Sequence, residues 1–79
     1  MNMIDENEYK TKDLPLTAYL LCFKHKIVRV EGTNPCFFII SPKPDEEVVN
    51  KFFTGKARVI AFDYSQKIKM VKGLMYNKG

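Results

Sequence analysis

Between Leu14 and Phe23 the chain carries ten residues without a charge, and this segment restricts the fold more than any other. Asp13 stands before it as a helix N-cap, and Pro15 is tolerated in the first turn, where its missing N–H is not needed. The segment predicts a helix from about Leu14 to Lys24. Leu16, Leu20 and Phe23 form one stripe on it, and Leu14, Ala18, Leu21 and Cys22 form a second, so the helix is apolar over most of its circumference. It must be covered on two sides. In 79 residues that means either a central helix packed between layers or a patch that another chain covers.

A chain of this size has room for one domain. It buries only about 60% of the surface its unfolded form exposes, which leaves a thin margin of stability. Hydrophobic residues at 46% and charged residues at 28% are ordinary globular proportions and argue against a disordered chain. The longest strictly apolar run, Ala18 to Phe23, is far short of the roughly 20 residues that cross a bilayer, so no membrane partner is expected. Residues 1–8 carry Asp5, Glu6 and Glu8 with no basic residue, the opposite of a secretory signal, and read as a flexible acidic tail on a cytoplasmic protein. Cys22 and Cys36 lie in apolar settings and read as reduced core thiols.

After His25 the periodicity changes to two. Lys26 to Glu31 predicts a half-buried strand with Val28 and Val30 on one face and Ile27, Arg29 and Glu31 on the other. Gly32 to Pro35 supplies turn chemistry, and Cys36 to Ser41 predicts a second strand, apolar on both faces and therefore the inner strand of its sheet. Two strands are marginal in water, and Ala57 to Ile60 is the remaining candidate for a third. Pro42 and Pro44 stop the sheet. Asp45, Glu46 and Glu47 then open a helix to about Thr54, whose apolar face is Val48, Val49, Phe52 and Phe53 and whose end Gly55 marks. A last helix, about Phe62 to Tyr76, carries Tyr64, Ile68, Val71 and Met75 at 4, 3, 4 spacing, with Leu74 beside them. Gly73 lowers its propensity by about 1 kcal/mol relative to Ala, so packing must hold the last turn. The expected architecture is a single α+β domain over residues 9–76 with a frayed tail at 77–79. Its order is helix, strand, strand, helix, short strand, helix, with a small antiparallel sheet packed on the helices.

The series Tyr9-Lys10-Thr11-Lys12-Asp13-Leu14-x-Leu16-x-Ala18-x-Leu20-Leu21, the Arg29-Val30-Glu31 strand end, the Phe37-Phe38 strand, Phe52-Phe53-Thr54-Gly55-x-Ala57-Arg58-Val59 and Val71-Lys72-x-Leu74-Met75-Tyr76 together resemble a family of short bacterial proteins with no assigned function. The resemblance covers nearly all of the chain after residue 8. Its motifs are caps, core positions and turns, so it implies the fold and no activity. The chain departs from the pattern at Ile60-Ala61, where family members more often open the last helix with Asp-Pro.

Little in the sequence supports catalysis. His25 sits at a helix-to-strand junction and is expected to serve the last carbonyls of the first helix; Cys22 and Cys36 give it no zinc spacing. Asp45, Glu46 and Glu47 are consecutive on a helix, point in different directions, and are accounted for by the macrodipole. The glycines form no phosphate loop, and no serine lies in a nucleophile elbow. The reading is a non-enzyme without cofactor or metal.

Binding remains. From Lys51 to Gly79 seven cations stand against one acid, Asp63, a charge of +6 in a chain whose total is +4, so the first fifty residues carry −2. On the last helix Ser65, Lys69, Lys72 and Tyr76 again step by 4, 3 and 4, and Lys56 and Arg58 precede them. Lys56, Arg58, Lys69, Lys72 and Tyr76 are thus the expected contacts to nucleic acid, with phosphates on the cations and a base or sugar on the phenol. The rival expectation is a protein-interaction module, such as a small inhibitor or subunit encoded by a mobile element. Tyr19, Leu21 and Cys22 would be its interface if they are not covered internally, and a homodimer is one way to cover them.

Overall fold

The computed structural model describes residues 6–78. It runs β1 (Tyr9–Thr11), α1 (Leu14–Leu21), β2 (Lys26–Glu31), β3 (Phe37–Ser41), α2 (Glu46–Phe53) and α3 (Ala61–Lys78). Three helices pack with one antiparallel sheet of order β1-β3-β2, so the α+β class and the inner position of the second hairpin strand are as the sequence predicts.

The third strand comes from the other end of the chain. Ala57 to Ile60 has no regular structure, and Tyr9–Thr11 pairs with β3 instead, Tyr9 opposite Ile40 and Thr11 opposite Phe38. Three residues are too few to show a period of two, which is why this strand is silent in the sequence. The same pairing removes Glu8 from a free tail: its carboxylate accepts two hydrogen bonds of 3.1 Å from the Arg29 guanidinium. Residues 1–5 and 79 of the expected tails lie outside the described residues; α3 continues through Lys78.

β2 carries a bulge. Ile27 pairs with Ile40 and Arg29 with Ile39, leaving Val28 as the extra residue. The bulge shifts the alternation by one, so Ile27 and Val30 turn to the core and Val28 is exposed, which corrects the expected pairing of Val28 with Val30. Gly32 takes φ +74° in the following turn, and a Cβ there would stand 2.9 Å from the Pro35 carbonyl oxygen, so the turn demands glycine twice over. The Asn34–Pro35 and Ser41–Pro42 peptides are cis.

Phe38, Ile39 and Ile40 of β3 are all fully buried. Phe38 and Ile40 enter the main core with Leu16, Ala18, Leu20 and Val71. Ile39 belongs to the other face, where its register partners are Lys10 and Arg29. Directly opposed side chains share a face, so the aliphatic stems of these cations cover it while their heads pair with Glu31.

α1 is the central helix. Its Asp13 cap accepts from the Leu16 N–H at 2.8 Å, and every residue from Leu16 to Leu21 is buried among the sheet, α2 and α3. It ends at Leu21, three residues earlier than expected. Cys22 and Phe23 N–H groups bond back to Tyr19 and Leu20 carbonyls at 3.1 Å, tightening the last turn so that the chain can enter β2 at Lys26. α2 closes with Gly55 at φ +77°, the Lys56 N–H reaching the Lys51 carbonyl and the Gly55 N–H that of Phe52, a Schellman motif. α3 lays Tyr64, Ile68, Val71 and Met75 on α1, as their spacing predicts.

Candidate functional site

The early end of α1 decides the surface chemistry. A helix continued to Lys24 would have kept Phe23 in the stripe with Leu16 and Leu20. The tightened turn instead leaves Phe23 at its tip, 51% exposed. Its ring meets Tyr19 edge-on at 5.2 Å, Tyr19 lies against Phe52 at 5.2 Å, and Phe52 meets Phe53 at 5.3 Å. Phe23 is therefore one of two exposed ends, with Phe53, of an aromatic series that passes through the buried Tyr19.

Three open grooves meet at Phe23. One, of about 440 Å³, runs between the end of α1, the start of β2 and α3, with Ile27, Met70 and Leu74 on its floor and Lys24, Lys26 and Lys67 around it. A second, of about 460 Å³, faces α2 and is bounded by Tyr19, Val48, Lys24 and Lys51. The third, of about 330 Å³, is walled by Cys22, Val59 and Ile60, with Arg58 and Asp63 at its edge. Ile60 is 70% exposed, because the unpaired segment from Lys56 to Ile60 only links the end of α2 to α3 and contributes little to the core.

The sequence-predicted interface at Tyr19 and Leu21 is not available. These residues are 6% and 8% exposed, covered within the chain itself, and Cys22 is half-buried. Burial and the neighbouring Asp63 carboxylate push the Cys22 thiol above its ordinary range, with Lys67 opposing them. Of the expected nucleic-acid contacts, Lys56, Arg58, Lys69, Lys72 and Tyr76 are all exposed, the last three along one side of α3. Only Arg58 reaches a groove at Phe23. The cations gathered there are chiefly Lys24, Lys26 and Lys67, which the sequence reading did not select. Their signal was the Lys24-His25-Lys26 triplet beside an aromatic residue, masked by the assumption that the helix ran through Lys24.

Charge is partitioned. Lys10 and Arg29 pair with Glu31, Arg29 also with Glu8, and Lys51 with Glu47. Among the described residues no ion pair engages Lys24, Lys26, Lys56, Arg58, Lys67, Lys69 or Lys72. The Glu31 carboxyl is held below the usual carboxylate range by its bond to Arg29, whose own guanidinium is raised in turn by Glu8 and Glu31.

His25 does not serve α1, contrary to expectation. It is buried, and its Nδ1–H donates to the Pro42 carbonyl at 2.7 Å, because the chain has already turned toward the sheet when it reaches residue 25. Among the described residues no group of three His, Cys, Asp or Glu side chains is arranged to hold a metal, and no helix is long and apolar enough to cross a membrane. No protein-family pattern, curated protein or solved structure matches the chain.

Proposed function

We propose that this chain is a non-catalytic protein-interaction module of the cytoplasm, docking through the surface around Phe23. The observation that carries this reading is the exposure of Phe23, Val59 and Ile60 as the walls of one groove, fixed from behind by the aromatic series through Tyr19. Contiguous apolar surface rimmed by polar groups is characteristic of interaction sites, and aromatic anchors dominate the binding energy of such sites. Membership of a family of short bacterial proteins belongs to the same proposal and adds no activity to it. The test is capture of partners from nuclease-treated extract by the tagged chain at low and high salt. A partner retained at high salt and lost with Ile60→Ser is the expected result; identical recovery by parent and variant rejects the surface.

A second reading rests on a different observation. Lys56, Arg58, Lys69 and Lys72 are exposed and without an ion pair among the described residues, and Tyr76 beside them is 76% exposed. They could neutralise phosphates of a nucleic acid. Removing any one of these cations from a phosphate lowers the magnitude of the salt slope by roughly one unit. Titration of single-stranded and duplex DNA and RNA with the parent and a Lys69→Glu, Lys72→Glu double variant at several salt concentrations decides it. Equal binding by both proteins removes this reading.

A further inference from the structure

We infer that the groove between α1, β2 and α3 takes an acidic amphipathic segment of a partner protein, with Phe23 between its apolar side chains and Lys24, Lys26 and Lys67 facing its carboxylates. The inference rests on the protein-interaction reading and names the chemistry of the partner. At about 440 Å³ the groove falls within the roughly 300–1,000 Å³ of clefts that enclose ligands. Its floor is Phe23, Ile27, Met70 and Leu74, a surface with one ring and three flexible or branched aliphatic chains. Methionine-containing apolar grooves of this kind accept the i, i+3, i+4, i+7 side chains of an amphipathic helix.

The rim selects among apolar occupants. Every charged side chain lining this groove is a lysine; the groove facing α2 shares Lys24 and adds Lys51, which Glu47 already pairs, and the third groove sets Arg58 against Asp63. Lys24, Lys26 and Lys67 have no ion pair among the described residues. A basic segment would be repelled, and a neutral one would leave three cations crowded at the margin of an apolar contact. A second copy docked by a two-fold axis would bring lysine rims toward each other, since such an interface meets its own surface. A single-stranded nucleic acid would find only Phe23 as an exposed ring to stack on, since the Tyr19 and His25 rings lining these grooves are buried, and no arginine in either lysine-rimmed groove. Charge complementarity therefore favours Asp and Glu flanking the apolar anchors.

The experiment titrates the full chain with three labelled helical peptides that share Leu at i, i+3, i+4 and i+7 and carry Glu, Gln or Lys elsewhere, and with a labelled oligothymidine. Parent, Phe23→Ser and a Lys24→Glu, Lys67→Glu double variant are compared after circular dichroism shows each folded. The Glu peptide should bind about tenfold or more tightly than the Gln peptide, and Phe23→Ser should weaken it about fivefold or more. The double variant, which changes only exposed or rim positions, should reverse the preference toward the Lys peptide. Tight Gln-peptide binding that depends on Phe23 and is indifferent to the double variant would overturn the acidic partner and leave the protein-interaction reading intact. Oligothymidine binding abolished by the same variants, a dimer in sedimentation that Phe23→Ser dissolves, or no peptide binding at all would each overturn the inference, and in the first of these cases the protein-interaction reading falls with it.

Discussion

The His25 imidazole and the Pro42 carbonyl extend the β2–β3 ladder by one rung beyond its last residue pair. Lys26 faces Ser41 in the register, so residues 25 and 42 are the next positions outward. The 2.7 Å bond from Nδ1–H supplies there, from a side chain, a contact that the backbone ladder no longer makes. Because His25 is buried, removing it strands an acceptor in a partly buried site.

His25→Ala should therefore lower stability by about 1–3 kcal/mol, the usual cost of leaving a buried hydrogen-bonding group without its partner. His25→Asn places an amide N–H near the Nδ1 position but loses the rest of the ring, and should fall between parent and Ala. Urea unfolding measures both; a parent-like midpoint for His25→Ala would show that the bond contributes nothing.

Phe38 is fully buried in the inner strand and belongs to the core cluster with α1. Truncation of such a residue costs about 3–5 kcal/mol, comparable to the whole stability of a domain this small. Phe38→Ala should be largely unfolded at room temperature by circular dichroism, whereas Val28→Ala, on the exposed bulge, should melt within a few degrees of the parent.

Gly73 lies inside α3, and nothing stands within 4 Å of where a Cβ would be. Gly73→Ala should gain about 0.5–1 kcal/mol through helix propensity. Thermal melting gives the answer, and an unchanged or lower melting temperature would mean that the glycine has a role beyond propensity.

The acid response should follow Glu31. Its folded-state pKa lies below the ordinary glutamate value because Arg29 bonds the ionised form. The folded state then takes up the proton less readily than the unfolded chain, so the pair stabilises the fold above the usual carboxylate range, near pH 4.3, and this contribution disappears as pH falls through the lowered value. Arg29→Gln removes a partner of both Glu31 and Glu8, so it should differ from the parent at neutral pH and converge with it in acid. A stability difference constant from pH 7 down to pH 2 would separate the effect from Glu31 ionisation.

The elements visible in the sequence were those with enough length to show a period: α2, α3 and β3 stand where spacing put them, α3 with the 4, 3, 4 stripe on α1. What escaped was set by short or non-periodic events. β1 is three residues long, the bulge at Val28 inverts the phase of half a strand, and two i to i+3 bonds end α1 before Phe23. The last of these moved the candidate site. With Tyr19 and Leu21 inside and Phe23 outside, the surface lies one turn further along than periodicity implied, among lysines that a composition count assigns to solvent.

β3 receives hydrogen bonds from β2 on one side and from β1 on the other, and β1 lies at the extreme start of the fold. The innermost and most apolar strand thus owes one flank to residues 9–11, which lie nearly thirty positions earlier in the chain. A protease that removed the segment before Asp13 would expose the backbone of Phe37–Ser41 as an open sheet edge, a template on which further copies can add strand to strand. An intact Tyr9–Thr11 strand is then what separates a covered sheet edge from a growing aggregate.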